Sequence, residues 1–256
     1  MSGPGQAVRQ VRFTNKAFWR NPANAFFTFA FPLMFLVIFT SLFGDDPVPA
    51  GGATVGISTY YVATICAFSI ITATYTNLAI NISFTRDQGV LKRIRGSPIP
   101  GWVYMAGRIV HAIFVTILLV AIVTAFGALL YDADVPTRTL PAFLVTIAVG
   151  AASFSALGLA LTAAIPNADA SPAVVNGSIL PLLFISGIFI PLQDPDAWYV
   201  KVSEFFPVYH FSEAVKSAFF APTGSGFEAT HLLILGAWGV AGVILALLFF
   251  SWEPRR

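Results

Sequence analysis

The chain has 256 residues, of which 57% are hydrophobic and only 10% charged, with a formal net charge of +2. Soluble domains average about 45–50% apolar and about 25% charged residues, so an ordinary water-soluble fold is excluded. The single cysteine, Cys66, rules out an intrachain disulfide.

Residues 6–21 carry Arg9, Arg12, Lys16 and Arg20 at three- and four-residue spacing, with Val8, Val11, Phe18 and Trp19 supplying apolar surface. This is the pattern of an amphipathic helix lying in a membrane surface, with a basic flank that only sets topology as the alternative. Apolar runs of about 20 residues follow, the length that crosses about 30 Å of hydrocarbon at about 1.5 Å per residue. They place six spans at residues 23–43, 57–83, 102–131, 140–165, 172–190 and 231–252, a bundle covering 23–252. No small-residue cleavage site follows a short apolar core, so the first run is expected to be a retained span. The expected fold class is an all-α membrane protein.

Charge sets the orientation. With the N-terminus cytoplasmic, the inner side holds Arg9, Arg12, Lys16, Arg20, Arg86, Lys92, Arg93, Arg95, Arg108, Arg255 and Arg256. Arg108, near the inner end of the third span, can snorkel toward the headgroups. Only Arg138, Lys201 and Lys216 fall outside, whereas Asp45, Asp46, Asp132, Asp134, Asp194, Asp196, Glu204, Glu213 and Glu228 lie there. Both termini are expected inside a cell (inner) membrane.

Two spans carry side chains able to line a substrate path. Phe27, Phe31, Phe35, Phe39 and Phe43 repeat every four residues around a kink expected at Pro32. They read first as lipid-facing filler. Tyr61, Thr64, Phe68, Thr72, Tyr75 and Ser83 fall near one face of the second span, with Asn77 and Asn81 nearby. Unsatisfied polar groups in hydrocarbon cost several kcal/mol, so this face turns toward a partner helix, a dimer seam or a path.

No lysine follows a glycine, so a GxxxxGK[ST] phosphate loop is absent. His111, His210 and His231 are widely separated, and neither GxSxG nor HExxH occurs. No catalytic residue or metal set is expected. The loop at residues 84–99 reads FTRDQGVLKRIRGSPI. Asp87 suits a helix start, Leu91 and Ile94 give an apolar edge, and Lys92, Arg93 and Arg95 a basic remainder. So short a helix needs something to dock on; a basic loop binding anionic headgroups is the alternative.

This loop is similar to the coupling segment of type-2 ABC transporter permeases. Their acidic residue, Gly-Thr-Leu-Glu-Arg-Leu-like run and Thr-Pro correspond here to Asp87, to Gly89-Val90-Leu91-Lys92-Arg93-Ile94 and to Ser97-Pro98-Ile99. The sequence departs at Val90, Lys92, Ile94 and Ser97, and Lys92 reverses a charge. The outer segment, residues 191–229, carries the same resemblance: Ser186-Gly187, Pro191, Pro195, then Pro207 leading to Glu213-Ala214 and Lys216.

The resemblance implies short re-entrant helices between the fifth and sixth spans, a second permease copy or relative, and a separate ATP-binding cassette subunit that binds ATP and Mg. The loop around Asp87–Arg95 would receive that subunit's motion. Spans nearly free of charge disfavour an ion relay and favour a lipophilic or amphipathic cargo such as a drug, natural product or lipid. Polysaccharide or glycolipid export is the alternative within the family. An autonomous channel or ion-coupled carrier is the alternative outside it, and a membrane-embedded enzyme a third. The lipid bilayer is an expected partner and nucleic acid is not.

Overall fold

The computed structural model describes every residue except 1–2, 44–46, 51–52, 97–99, 193, 195, 222–223 and 254–256. Asp45, Asp46, Ser97, Pro98, Ile99, Pro195, Arg255 and Arg256, named above, therefore lie outside the described residues. Helix α1 covers Gly3–Trp19 and α2 Pro22–Phe43, followed by a two-stranded antiparallel hairpin, β1 (Val48–Ala50) with β2 (Ala53–Val55). Helices α3 (Ile57–Ile71) and α4 (Asn77–Asp87) join through a π-helical turn, Thr72–Thr76, into one rod of 31 residues. Then come α5 (Val90–Arg95), α6 (Gly101–Tyr131), α7 (Leu140–Leu161), α8 (Ser171–Ile185), α9 (Trp198–Ser203), α10 (Pro207–Phe220) and α11 (Ala229–Phe249). Pro141, Pro172 and Pro207 each sit in the first turn of their helix, where proline's fixed φ suits the start and its missing N–H has no partner to lose.

The α3–α4 rod is the heart of the bundle. Of its most apolar stretch 89% is buried, against 17% for α2 and for α11, which turn most of their surface outward. The reason lies in its side chains. Ser69, Thr74 and Ser83 donate their hydroxyls back to the carbonyls of Ile65, Ile70 and Ala79, satisfying polar groups that lipid could not. At the π turn the backbone meets α7 closely: a Cβ on Gly158 would lie 2.9 Å from the Tyr75 carbonyl oxygen. Small residues also seat α11 on α7, where a Cβ on Gly242 would meet the backbone of Ala156 and Leu157 at 2.9 Å.

Among the described residues five helices, α2, the α3–α4 rod, α6, α7 and α11, are long and apolar enough to cross a membrane. The run read as a fifth span at 172–190 is helical only over the 15 residues Ser171–Ile185, about 22 Å. Its helix stops because Gly187 turns with φ +73° and Pro191 follows four residues later. Helix α1 does not stand apart: it packs along α6, with the Gln10 stem where a Gly107 side chain would be.

Candidate coupling site and outer clasp

The loop at residues 84–99 is built on Arg86 and Asp87, at the end of the α3–α4 rod. Arg86 is wholly buried and donates through Nη1 to the Thr162 carbonyl (2.8 Å) and through Nη2 to the Ile165 carbonyl (2.6 Å). These oxygens lie where α7 ends, the negative pole of its dipole, so the guanidinium caps that terminus. Asp87 takes the Ala168 N–H on its Oδ2 at 2.5 Å, two residues before the N-cap of α8. One dipeptide thus holds both sides of the α7–α8 turn.

Gly89 follows with φ +69°, a left-handed conformation that reverses the chain and starts α5. Leu91 is fully buried against Leu78, Ile82 and Tyr104, with Ile94, Met105, Leu159, Phe250 and Trp252 around this group. Val90 is half-buried at the turn. Lys92, Arg93 and Arg95 are exposed, and Lys92 Nζ lies 4.0 Å from Glu253 Oε1. The apolar edge read from the sequence therefore docks on the chain's own helices, and the basic face is left open.

At the opposite end, Tyr60 donates its hydroxyl to the Gly187 carbonyl (2.5 Å) and Tyr61 to that of Phe189 (3.2 Å). Phe189 is buried among Phe35, Phe39, Phe68 and Phe184, with ring centroids 5.1–5.5 Å away. Helix α10 packs behind, with Pro207 buried at its start. Lys216, also buried, pairs with Glu213 and sits 5.8 Å over the Tyr60 ring. Gly187, Glu213 and Lys216 are thus gathered at one point, with Pro191 half-buried farther along the chain.

Of the side chains read as a possible path, Tyr61, Thr64, Phe68 and Tyr75 are buried inside this chain, Phe35 and Thr72 are half-buried, and Phe31 is exposed. Tyr75 shares a hydrogen bond with Ser178 of α8 at 2.8 Å. The phenylalanine stripe divides: Phe27 and Phe31 face outward, while Phe35 and Phe39 join the Phe189 cluster. Two features were not read from the sequence. In the sequence Arg86 stands out only as a topology-setting charge, although an Arg-Asp pair closing a span is the available signal. His210 and His231, distant in sequence, meet with Nδ1 atoms 2.9 Å apart. Among the described residues no group of three His, Cys, Asp or Glu could hold a metal.

Known proteins place this arrangement in context. The family model described as ABC-2 type transporter matches residues 6–220, from α1 through α10. The chain belongs to the ABC-2 type transporter family. This ABC-2 chain is 22% identical over 237 residues to the Bacillus subtilis protein named transport permease YvfS, covering 93% of the chain and 92% of that relative. It is 25% identical to the transport permease named ycf38 of Porphyra purpurea, over 91% of the chain and 79% of the relative. Escherichia coli YbhR, named a multidrug ABC transporter permease, is 23% identical over 55% of the chain and 38% of its own length. ABC-2 permeases are membrane subunits of ABC transporters, and ATP is hydrolysed by a separate subunit.

Proposed function

We propose that this permease is the membrane half of an exporter that moves a lipophilic or amphipathic compound outward, driven by an ATPase docked on α5. The observation that carries the reading is the double character of α5. Its Leu91 side is locked into helices α4 and α6, while Lys92, Arg93 and Arg95 stand exposed. A partner pressing on that basic face would move the rod through Gly89 and the α7–α8 turn through Arg86 and Asp87. ATP and Mg belong to that partner in this reading.

In the same reading α8 completes a sixth crossing with the segment through Phe189, α9 and α10 dip into the outer leaflet, and α1 lies at the inner surface. The concentration of arginine and lysine near α1 and α5 supports both termini lying in the cytoplasm of a plasma-membrane protein. A second permease copy or relative completes the transporter. An apolar crevice of about 500 Å³ among α7, α8, α10 and α11 supports a lipophilic cargo; the Tyr75–Ser178 hydroxyl pair is on its wall. The name of YbhR supports a drug-like cargo.

The test is copurification with an ATPase subunit, followed by Arg93→Glu with Arg95→Glu. Both side chains are exposed, so folding is retained while complex formation or ATPase-coupled transport falls about tenfold or more. Unchanged coupling, or substrate movement without any nucleotide-hydrolysing partner, overturns the reading.

A further inference from the structure

A second basic feature lies away from α5, where α1, α2, the α3–α4 rod and α6 converge. A cavity of about 50 Å³ opens there, lined by Asn24, Asn77, Asn81, Arg108 and His111 together with apolar side chains such as Phe18. By volume it admits a few water-sized groups, the scale of one phosphate. Arg108 is half-buried, and both Nε (3.1 Å) and Nη2 (2.8 Å) donate to one neutral acceptor, the Tyr104 hydroxyl. The guanidinium carbon also lies 5.3 Å from the Tyr104 ring centre. No ion pair to Arg108 occurs among the described residues.

The surroundings are selective by charge. Residues 1–44, which include α1 and α2, contain no Asp or Glu, and neither does α6. The sole acid of α4 is Asp87, whose Oδ2 holds the Ala168 N–H. Arg9, Arg12, Lys16 and Arg20 are exposed on the nearby α1 and the turn after it. His111 Nδ1 is buried without a hydrogen-bond partner. The niche therefore offers a planar cation, amide groups and a ring nitrogen, and no competing carboxylate.

Depth supplies the ligand. Arg108 is seven residues, about 10 Å, along α6 from Gly101. Helix α6 is about 46 Å long against about 30 Å of hydrocarbon, so each end projects about 8 Å if it is centred. Arg108 thus falls at the border of headgroups and acyl chains. A cation held at that depth by a neutral phenol is best compensated by an anion from the same layer, and the bilayer provides phosphate there. Guanidinium matches phosphate oxygens bidentately, which an ammonium does not.

We propose that this niche is a binding site for a phosphate group carried by an anionic phospholipid of the leaflet nearest α1, the inner one under the orientation proposed above. The lipid's phosphate engages the free edge of Arg108 with Asn77 or Asn81 beside it, while the acyl chains run along α2 and α6. The bond to Tyr104 positions the guanidinium. The site does not depend on the partner ATPase or on the nature of the cargo.

The test is thermal unfolding of the full chain in detergent, titrated with phosphatidylglycerol, phosphatidylcholine or inorganic phosphate at matched ionic strength. Phosphatidylglycerol is expected to raise the midpoint saturably, phosphatidylcholine weakly, and inorganic phosphate not at all at millimolar concentration. Arg108→Gln weakens the apparent phosphatidylglycerol affinity about tenfold, the scale of one lost charge-assisted bond. Arg108→Lys recovers only part of it, and Tyr104→Phe, which keeps the cation but removes its phenol anchor, weakens it less than Arg108→Gln does. If Arg108→Gln fails to fold, Asn77→Ala combined with Asn81→Ala reads a loss in the same direction. A full response in Arg108→Gln, or a loss with Arg12→Gln on the outer face of α1 instead, overturns the site as general surface attraction. An equal response to inorganic phosphate overturns the lipid assignment.

Discussion

Arg86 is the residue that ties the end of the α3–α4 rod to the end of α7. It is wholly buried, and its two carbonyl bonds join elements 76 and 79 positions apart in sequence. Arg86→Gln removes the charge and at least one of these bonds, leaving a carbonyl at the end of α7 without its donor. Hydrogen bonds to charged groups contribute about 1.5–3 kcal/mol each, so a loss of about 3 kcal/mol is expected. The detergent-purified variant should unfold several degrees below the parent, with limited proteolysis opening first at the α7–α8 turn. Arg93→Gln, exposed one turn beyond Gly89, should leave the midpoint unchanged. The role of Arg86 was not legible in the sequence because its partners are backbone oxygens, which carry no residue-type signal. Leu91 and the basic face of α5 were legible, since apolar and charged side chains separate by helical spacing whatever the helix docks against.

The helices themselves followed from run length and polarity, and departures arose where backbone conformation decided. Residues 57–83 read as one span because the apolar run is long enough, with hydroxyls near one face; the structure extends it to Asp87 and adds the π turn at Thr72–Thr76. Nothing in the residue types announces that turn. The stretch 172–190 reads as one span because its apolar character continues past Ser186, but the positive φ of Gly187 ends the helix early. Tyr60 and Tyr61 then hold the emerging strand of chain by its carbonyls, partners again invisible to side-chain patterning. Small residues are the readable signal of close helix packing. At Gly242 a side chain would meet the Ala156 and Leu157 backbone at 2.9 Å, and backbone cannot turn aside as a flexible side chain does. Gly242→Val is therefore expected to separate α11 from α7 and destabilise by about 1–3 kcal/mol, the range for overpacking. Gly236→Val, on the same helix with open space around it, is the matched control and should change stability little.

Across the whole molecule, α5 is tied to more helices than its six residues could reach by themselves. Upstream, Gly89 and the Arg86–Asp87 pair join it to the α3–α4 rod and to the α7–α8 turn. Downstream, the chain after α11 returns to it: Phe250 and Trp252 border the Leu91 cluster, and Lys92 faces Glu253. The Trp252 indole lies so near the start of α6 that a Cβ on Gly101 would meet it at 2.6 Å. The ion pair is exposed on both sides, and such pairs contribute little, so the tie rests on the tryptophan. A push on α5 reaches the rod, α7 and α8 through Gly89 and the Arg86–Asp87 pair, and it reaches α6 twice, through Leu91 against Tyr104 and through the Trp252 tail that follows α11. Trp252→Ala cuts the second link while leaving the small-residue packing of α7 on α11 intact. Its expected signature is a modest fall in unfolding midpoint with a several-fold drop in substrate moved per ATP hydrolysed, measured on the transporter reconstituted with its ATPase. Lys92→Ala, removing only the exposed pair, should leave that ratio where it was. If Trp252→Ala also leaves it unchanged, the tail passes on no part of the motion, and α6 receives it only through Leu91 against Tyr104.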